Sequence, residues 1–327
     1  MPASVFKRRC WNRAAWAIAP MLFFSLHGPA RGLDSGQPAL LVQAGQQSTP
    51  PATQALIQIV TADNTDINKK IVDALRRKFP AAQVNGEPIK RAGKKQPLSI
   101  AVGPAALRTL LAQGGDGVIV AAFTSSQAYR GMVQGLPEAR AATLTAVYAD
   151  PSPLEQLRLV SMLYKKPSVA ILLSKKTAYL EPQLQRAAAL SGVRLRVEEC
   201  SGADDLNRAL NRMADASALL AMPDGAVFNQ ENMRNILLTT YRRNQSVIGF
   251  SISLVNAGAL ASAYSDVDDI AAQLDELVAA YEVSGKLPEA QYPKYFGVAV
   301  NEDVARSLNI VLDDAARKLS RRPAPKP

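Results

Sequence analysis

The sequence of 327 residues holds one histidine, His27, and two cysteines, Cys10 and Cys200. His27 and Cys10 both fall in an N-terminal segment with the pattern of a removable leader. A processed chain would keep no histidine, which excludes a Ser-His-Asp triad and a His-ligated metal site. It would keep one cysteine, Cys200, which cannot form an internal disulfide. Aromatic residues make up only 6% of the chain, and no basic stripe is interleaved with them as a nucleic-acid binder requires. No glycine-rich loop leads from a strand into a helix. Gly114-Gly115-Asp116-Gly117 precedes an apolar run, the reverse of a phosphate loop, and reads as a turn. These absences argue against an enzyme, and no cofactor, metal or nucleic-acid partner is expected. A carboxylate such as Asp224 acting as acid or base is the remaining catalytic reading, with no other feature to support it.

The leader pattern consists of Lys7, Arg8, Arg9 and Arg13, an apolar run from Ala14 to Leu26, and Ala30-Arg31-Gly32 with small residues two apart. It reads as a signal peptide over 1–32. The run falls short of the ~20 apolar residues that span a bilayer, so an uncleaved anchor is the weaker reading. No cysteine follows it to carry a lipid. Five Lys/Arg and no acid lie before Leu33, so their loss takes the net charge from +10 to +5. Residues 33–54 are rich in Gly, Gln, Ser, Thr and Pro and read as a flexible linker. A basic tail over 319–327 is expected to be disordered. The chain is therefore expected in the periplasm.

Between these ends, short apolar runs alternate with helical spacing. Leu56–Val60, Leu98–Val102, Gly117–Phe123 and Thr143–Tyr148 read as strands, as do Val169–Leu173, Val193–Val197, Ala218–Met222 and Val247–Phe250. Helical stretches intervene, among them Ile67, Ile71, Leu75 and Phe79, then 177–190, Phe228–Arg243 and Val267–Val283. Strands alternating with helices imply parallel sheets covered on both faces, and continuous apolar runs suit strands buried on both sides. The fold class expected is α/β, with two doubly wound parallel-sheet lobes. The first series ends at Asp150-Pro151-Ser152-Pro153.

In open parallel sheets, ligands bind beyond the carboxyl ends of the strands, where helix N-termini present backbone N–H groups. Candidates in the first lobe are Gly103, Pro104 and Ala105, then Thr124, Ser125 and Ser126. The second lobe offers Ser174, Pro223 with Asp224, and Ser251 with Ser253. Each Ser or Thr at a helix start also reads as a plain N-cap. Tyr148 and Asp150 lie at the junction, and Asp150 reads equally as a cap of the next helix. Phe228 and Tyr264 are read either as pocket walls or as ordinary packing.

The last third carries a more specific pattern. It runs through Ala221-Met222-Pro223-Asp224, Phe228-Asn229, Asn235-Ile236-Leu237-Leu238 and Val247-Ile248-Gly249-Phe250-Ser251. It continues with Ala257 to Ser262, Tyr264-Ser265, Gln291-Tyr292-Pro293, Val298-Ala299-Val300-Asn301 and Val304 to Leu308. These residues resemble the ABC transporter substrate-binding protein family related to tryptophan- and tyrosine-type binding proteins. The resemblance extends over about 55–315, and the first lobe diverges. It implies a type I periplasmic-binding-protein-like fold with three hinge crossovers, near 149–150, 264–266 and 291–295. Lobe I would then comprise 55–149 plus 266–290, and lobe II 150–265 plus 291–318. It further implies a monomer that captures a small polar organic ligand, amino-acid-like, for an inner-membrane ABC permease. Sensing or envelope scaffolding on the same fold is the alternative.

Overall fold

The computed structural model describes residues 56–86, 96–115 and 117–324. The expected leader 1–32 and linker 33–54 lie outside the described residues. In chain order the first half runs β1 (Ile57–Thr61), α1 (Asp66–Lys78), β2 (Gln83–Val84), β3 (Leu98–Val102), α2 (Gly103–Gln113), β4 (Val118–Thr124), α3 (Ser126–Val133), α4 (Glu138–Ala141) and β5 (Leu144–Tyr148). It continues through α5 (Pro153–Leu163), β6 (Ser168–Leu173), a 3-10 turn at Ala178–Leu180, α6 (Glu181–Ser191), β7 (Arg194–Glu199), α7 (Ala203–Arg212), β8 (Ala218–Leu220), α8 (Gln230–Tyr241), β9 (Ser246–Ile248), α9 (Ile252–Asn256) and β10 (Ala261–Tyr264). The last elements are α10 (Val267–Ser284), β11 (Gly297–Val300), α11 (Glu302–Ser307) and α12 (Asp314–Lys318).

The apolar runs build two sheets. One has the order β2-β1-β3-β4-β5 and is parallel throughout. The other has the order β11-β10-β9-β8-β6-β7, parallel except for β11 at its edge. Central strands such as Leu98–Val102 and Ser168–Leu173 are buried because helices cover both faces. No described helix is long and apolar enough to cross a membrane.

Sequence and structure differ at several places, each for a local reason. The helix expected over 177–190 begins as a 3-10 turn before α6, because Pro182 stands in the first turn of α6 and its ring cannot continue an α-helix from behind. The helix expected from Phe228 starts at Gln230, where Asn229 Oδ1 accepts the Asn232 N–H at 2.9 Å. Phe228 stays outside it, buried in the core of the second sheet. Gly297–Val300 is an antiparallel edge strand that alternation does not reveal, since it is short and half-buried. The expected tail disorder does not extend over 319–322. Arg321 and Phe296 exchange backbone hydrogen bonds at 2.7 and 2.8 Å, and the Val298 N–H donates to Ser320 Oγ at 3.1 Å.

The chain passes three times between the two cores. After β5 it enters α5, whose Leu157, Leu159 and Val160 pack in the second core. After β10 it returns as α10, whose Ile270, Leu274 and Leu277 pack against the first sheet. Gln291 then lies beside β5, donating its N–H to the Ala146 carbonyl at 2.9 Å, before the chain goes back as β11. Two buried glutamines fix these passages. Gln156 donates to the Gly249 carbonyl at 2.7 Å and accepts the Ala263 N–H at 3.0 Å. Gln273 accepts the Lys294 N–H at 2.7 Å and donates to the Tyr292 carbonyl at 3.2 Å. An amide side chain serves both tasks because it carries a donor and an acceptor.

Candidate functional site

Strands of both sheets end at the space between the two cores, and two chambers occupy it. The larger, of about 920 Å³, lies at the ends of β1, β3 and β4 on one side and against Ser251 and Ile252 on the other. Gly103, Pro104, Ala105, Ser251 and Tyr264 all line it. Gly103 has φ +80, and a Cβ placed there would meet nothing within 4 Å. Val102, the residue capping α2, has no side chain to offer its amides, and Pro104 removes one donor. Ile67, Ile71 and Val102 make this wall apolar.

Phe123 also lines this chamber, and it is the residue the sequence conceals most completely. It stands at φ +56 at a register shift between Ala122 and Thr124. A bulky residue there costs about 1–2 kcal/mol and persists only where its surroundings enforce it. Read from the sequence, it is simply the last apolar residue of β4. The bulge is what turns its ring toward the chamber.

The smaller chamber, of about 610 Å³, contains Ser126 and Tyr148 of the expected residues. Around them the structure adds Tyr129, Tyr179, Tyr292 and Arg130. The Tyr129 and Tyr148 rings stand 5.7 Å apart, and Tyr148 meets Tyr292 edge-on at 5.1 Å. Arg130 of α3 lies 3.9 Å from the centre of the Tyr179 ring, which belongs to the other core. This cation–π contact bridges the two cores. Burial and then the nearby Asp150 push the Tyr148 hydroxyl up to about 12. Burial raises Tyr179 as well, with Asp150 and Asp224 adding to the rise and Arg130 opposing it.

The remaining expected residues are engaged internally. Asp150 caps α3, not the helix that follows it. Its carboxylate accepts the Ser126 N–H and the Ser126 hydroxyl, each at 2.6 Å. Ser125 adds a second cap, accepting the Ala128 N–H at 3.2 Å, while Ser152 caps α5. Thr124 is buried, and its carbonyl accepts the Ala149 N–H at 2.9 Å. In the second lobe Asp224 plays the matching part. It accepts the Ser174 N–H at 2.8 Å, the Thr177 hydroxyl, and the Ala226 N–H at 3.0 Å. The amides of Ser126 and Ser174, expected to be open to a ligand carboxylate, already hold carboxylates of the chain itself. Pro223, Phe228 and Ser253 line neither chamber, and Ser253 is exposed in the first turn of α9. Burial raises the Asp150 carboxyl above its ordinary range, with the Ser126 hydrogen bonds opposing the shift. Among the described residues, no group of three or more His, Cys, Asp and Glu is placed to hold a metal ion.

Two layered sheets crossed three times by the chain, with chambers at the strand ends, define the type I periplasmic-binding-protein-like fold. Solved structures share it. One is the ligand-free, open form of a substrate-binding protein with adhesive properties from Clostridium difficile, at TM-score 0.58 and 13% identity over 81% of this chain and 98% of that one. Another is an ABC domain from Streptococcus pneumoniae in complex with L-Trp, at TM-score 0.54 and 12% identity over 83% and 99%. A conserved domain protein from Vibrio cholerae matches at 0.52 and 18% identity over 82% and 99%. At these identities the likeness establishes the fold. No protein-family model matches the chain, and no curated protein matches it in sequence.

Proposed function

We propose that this protein captures a small organic solute between its two lobes and delivers it to an inner-membrane ABC permease. It would act in the periplasm as a monomer, exported by the segment 1–32. The observation that carries this reading is the chamber of about 920 Å³ at the carboxyl ends of strands from both sheets. That is where ligands bind in open α/β sheets, and the volume suits a small molecule. Gly103, Pro104, Ala105, Ser251 and Tyr264 are its contacts, with Phe123 added. The three crossovers would act as hinges, so that closure buries the solute. Solved relatives in fold include a substrate-binding protein and an L-Trp complex.

Thermal unfolding in the presence of a broad library of amino acids, carboxylates, alcohols, amines and sugars tests the reading. A true solute at a hundred times its Kd adds about 2.7 kcal/mol of stability and a clear rise in Tm. A library without one stabilising compound ends the proposal.

A second reading has its own observation. Asp150 and Asp224 close off amides in both lobes, which suits a fold kept for sensing or for scaffolding in the envelope. In vivo cross-linking through surface positions separates the two. A permease partner supports transport, and a sensor or envelope protein in its place supports the alternative.

A further inference from the structure

We infer that the solute of the larger chamber carries no negative charge: it has an apolar body and at most a neutral oxygen that accepts one hydrogen bond from the start of α2. The inference rests on solute capture in this chamber and departs from the amino-acid-like ligand expected from sequence. Ile67, Ile71, Val102, Phe123, Ile252 and Ile270 are large apolar side chains of its wall. The charged side chains that line it among the described residues are Asp63 and Asp266, both acids.

Both carboxylates are held in place. Asp63 accepts the Thr65 N–H at 3.1 Å, the Thr65 hydroxyl at 2.8 Å and the Asn68 amide at 2.6 Å. Asp266 accepts the Asp269 N–H at 2.9 Å and pairs with Arg322 at 2.7 Å. The same guanidinium lies 5.6 Å from the ring centre of Tyr264, a chamber residue, and donates to its hydroxyl at 3.5 Å, but Arg322 itself is not among the residues that line the chamber. An incoming carboxylate would meet two acids and no lysine, arginine or histidine on the described wall.

Magnitudes decide the sign. Taking an ion out of water without a partner costs several kcal/mol. The start of α2 offers an anion about 0.3–1 kcal/mol, and Pro104 has removed one of its donors. The deficit is not recovered. An apolar body of ring size buries about 150–250 Å², which contributes about 4–6 kcal/mol. The rim points the same way. Ile67 on α1 is 56% exposed and Ile252 on α9 is 43% exposed, and these two flank the chamber from opposite cores. Apolar side chains left in water at a chamber mouth gain from a solute that covers them.

Isothermal titration with three probes sharing one ring tests this: 2-phenylethanol, phenethylamine and phenylacetate. The expected result is that 2-phenylethanol binds at least about tenfold more tightly than phenylacetate, a difference of about 1.4 kcal/mol. Ile252→Lys places a cation at an exposed rim position where folding is not at stake. It should raise phenylacetate affinity about tenfold while weakening phenethylamine. Phenylacetate binding as tightly as 2-phenylethanol overturns the inference, and so does a failure of all three to bind. Neither result touches solute capture itself, which is decided by the broad library.

Discussion

Helices α2 and α3 start at the ends of adjacent strands of one sheet, yet their first turns are treated in opposite ways. The first turn of α3 is closed twice, by Ser125 and by the buried carboxylate of Asp150. The first turn of α2 has Val102 where a cap would be, a glycine at φ +80 and a proline. One helix start is finished by the protein. The other is left facing a chamber. In the second lobe Asp224 closes the turn after β6 in the same way, holding the Ser174 N–H and the hydroxyl of Thr177, which precedes the 3-10 turn. A helix start at a strand end is thus a potential site only where no acid of the chain has reached it first.

The closed starts should be the costlier to disturb. Asp224→Ala leaves the Ser174 and Ala226 amides and the Thr177 hydroxyl without their acceptor, two of these residues being buried. Unsatisfied buried donors cost about 1–3 kcal/mol each, and partial relaxation should bring the total to about 3 kcal/mol. Urea unfolding measures it. A loss under about 1 kcal/mol would mean that water replaces the carboxylate, and the contrast between closed and open starts would lose its energetic meaning.

Asp150→Asn should cost about 1–2 kcal/mol at neutral pH, because one amide oxygen replaces two carboxylate oxygens toward Ser126. It also has a signature in pH. Burial raises the Asp150 carboxyl, so its folded pKa stands above its unfolded value. Such a group supports the fold fully below the unfolded value, and this support is lost as pH rises through the folded one. The parent protein should therefore gain stability as pH falls from neutrality toward the ordinary carboxylate range. The asparagine variant should show a smaller gain. Asp269, also raised by burial, keeps part of the slope in both proteins. Identical slopes would show that Asp150 is not the titrating group.

At the open start, Gly103→Ala should cost only about 1 kcal/mol. The cost is conformational, from a side chain at positive φ, since the new methyl group meets open space. Its effect on a solute bound in the chamber should exceed its effect on stability. An unchanged Kd would place the solute away from α2.

The sequence revealed the architecture because parallel strands buried on both faces leave continuous apolar runs, as in Leu98–Val102 and Val169–Leu173. It revealed where the candidate residues stand, since Gly103, Ser126 and Ser251 all follow such runs. It could not reveal who satisfies whom. Asp150 and Ser126 are separated by 24 residues, and Asp224 and Ser174 by 50, so each pairing exists only once the sheet is assembled. The ring of Phe123 is set by a bulge, which is a property of the backbone and not of the residue. Tyr179 and Arg130 meet across two cores, and no spacing within either segment announces that contact. Phe228 reads as an aromatic near a strand end, but its neighbours in space place it in the core.

The smallest effect expected is at the C-terminal strap, and it bears on the same comparison from the side of the crossover. Arg322 pairs with Asp266 and Asp269, the two acids of the capping box that opens α10. Asp269 is 2% exposed at its side chain, whereas Arg322 is 41% exposed, so one partner is desolvated and the other is screened. A Cβ on Gly297 would overlap the Arg322 guanidinium, so β11 carries a glycine where the arginine passes. Arg322→Ala should therefore cost under about 1 kcal/mol, because the capping box survives, still giving Asp269 the Asp266 N–H, and water reaches the half-exposed Asp266. High salt should shrink even that difference. If solute affinity changes far more than stability does, the freed charge of Asp266 is being felt inside the larger chamber. The direction then tells: a cationic probe should gain and an anionic one lose. The opposite order would show that the freed charge of Asp266 does not act inside the chamber.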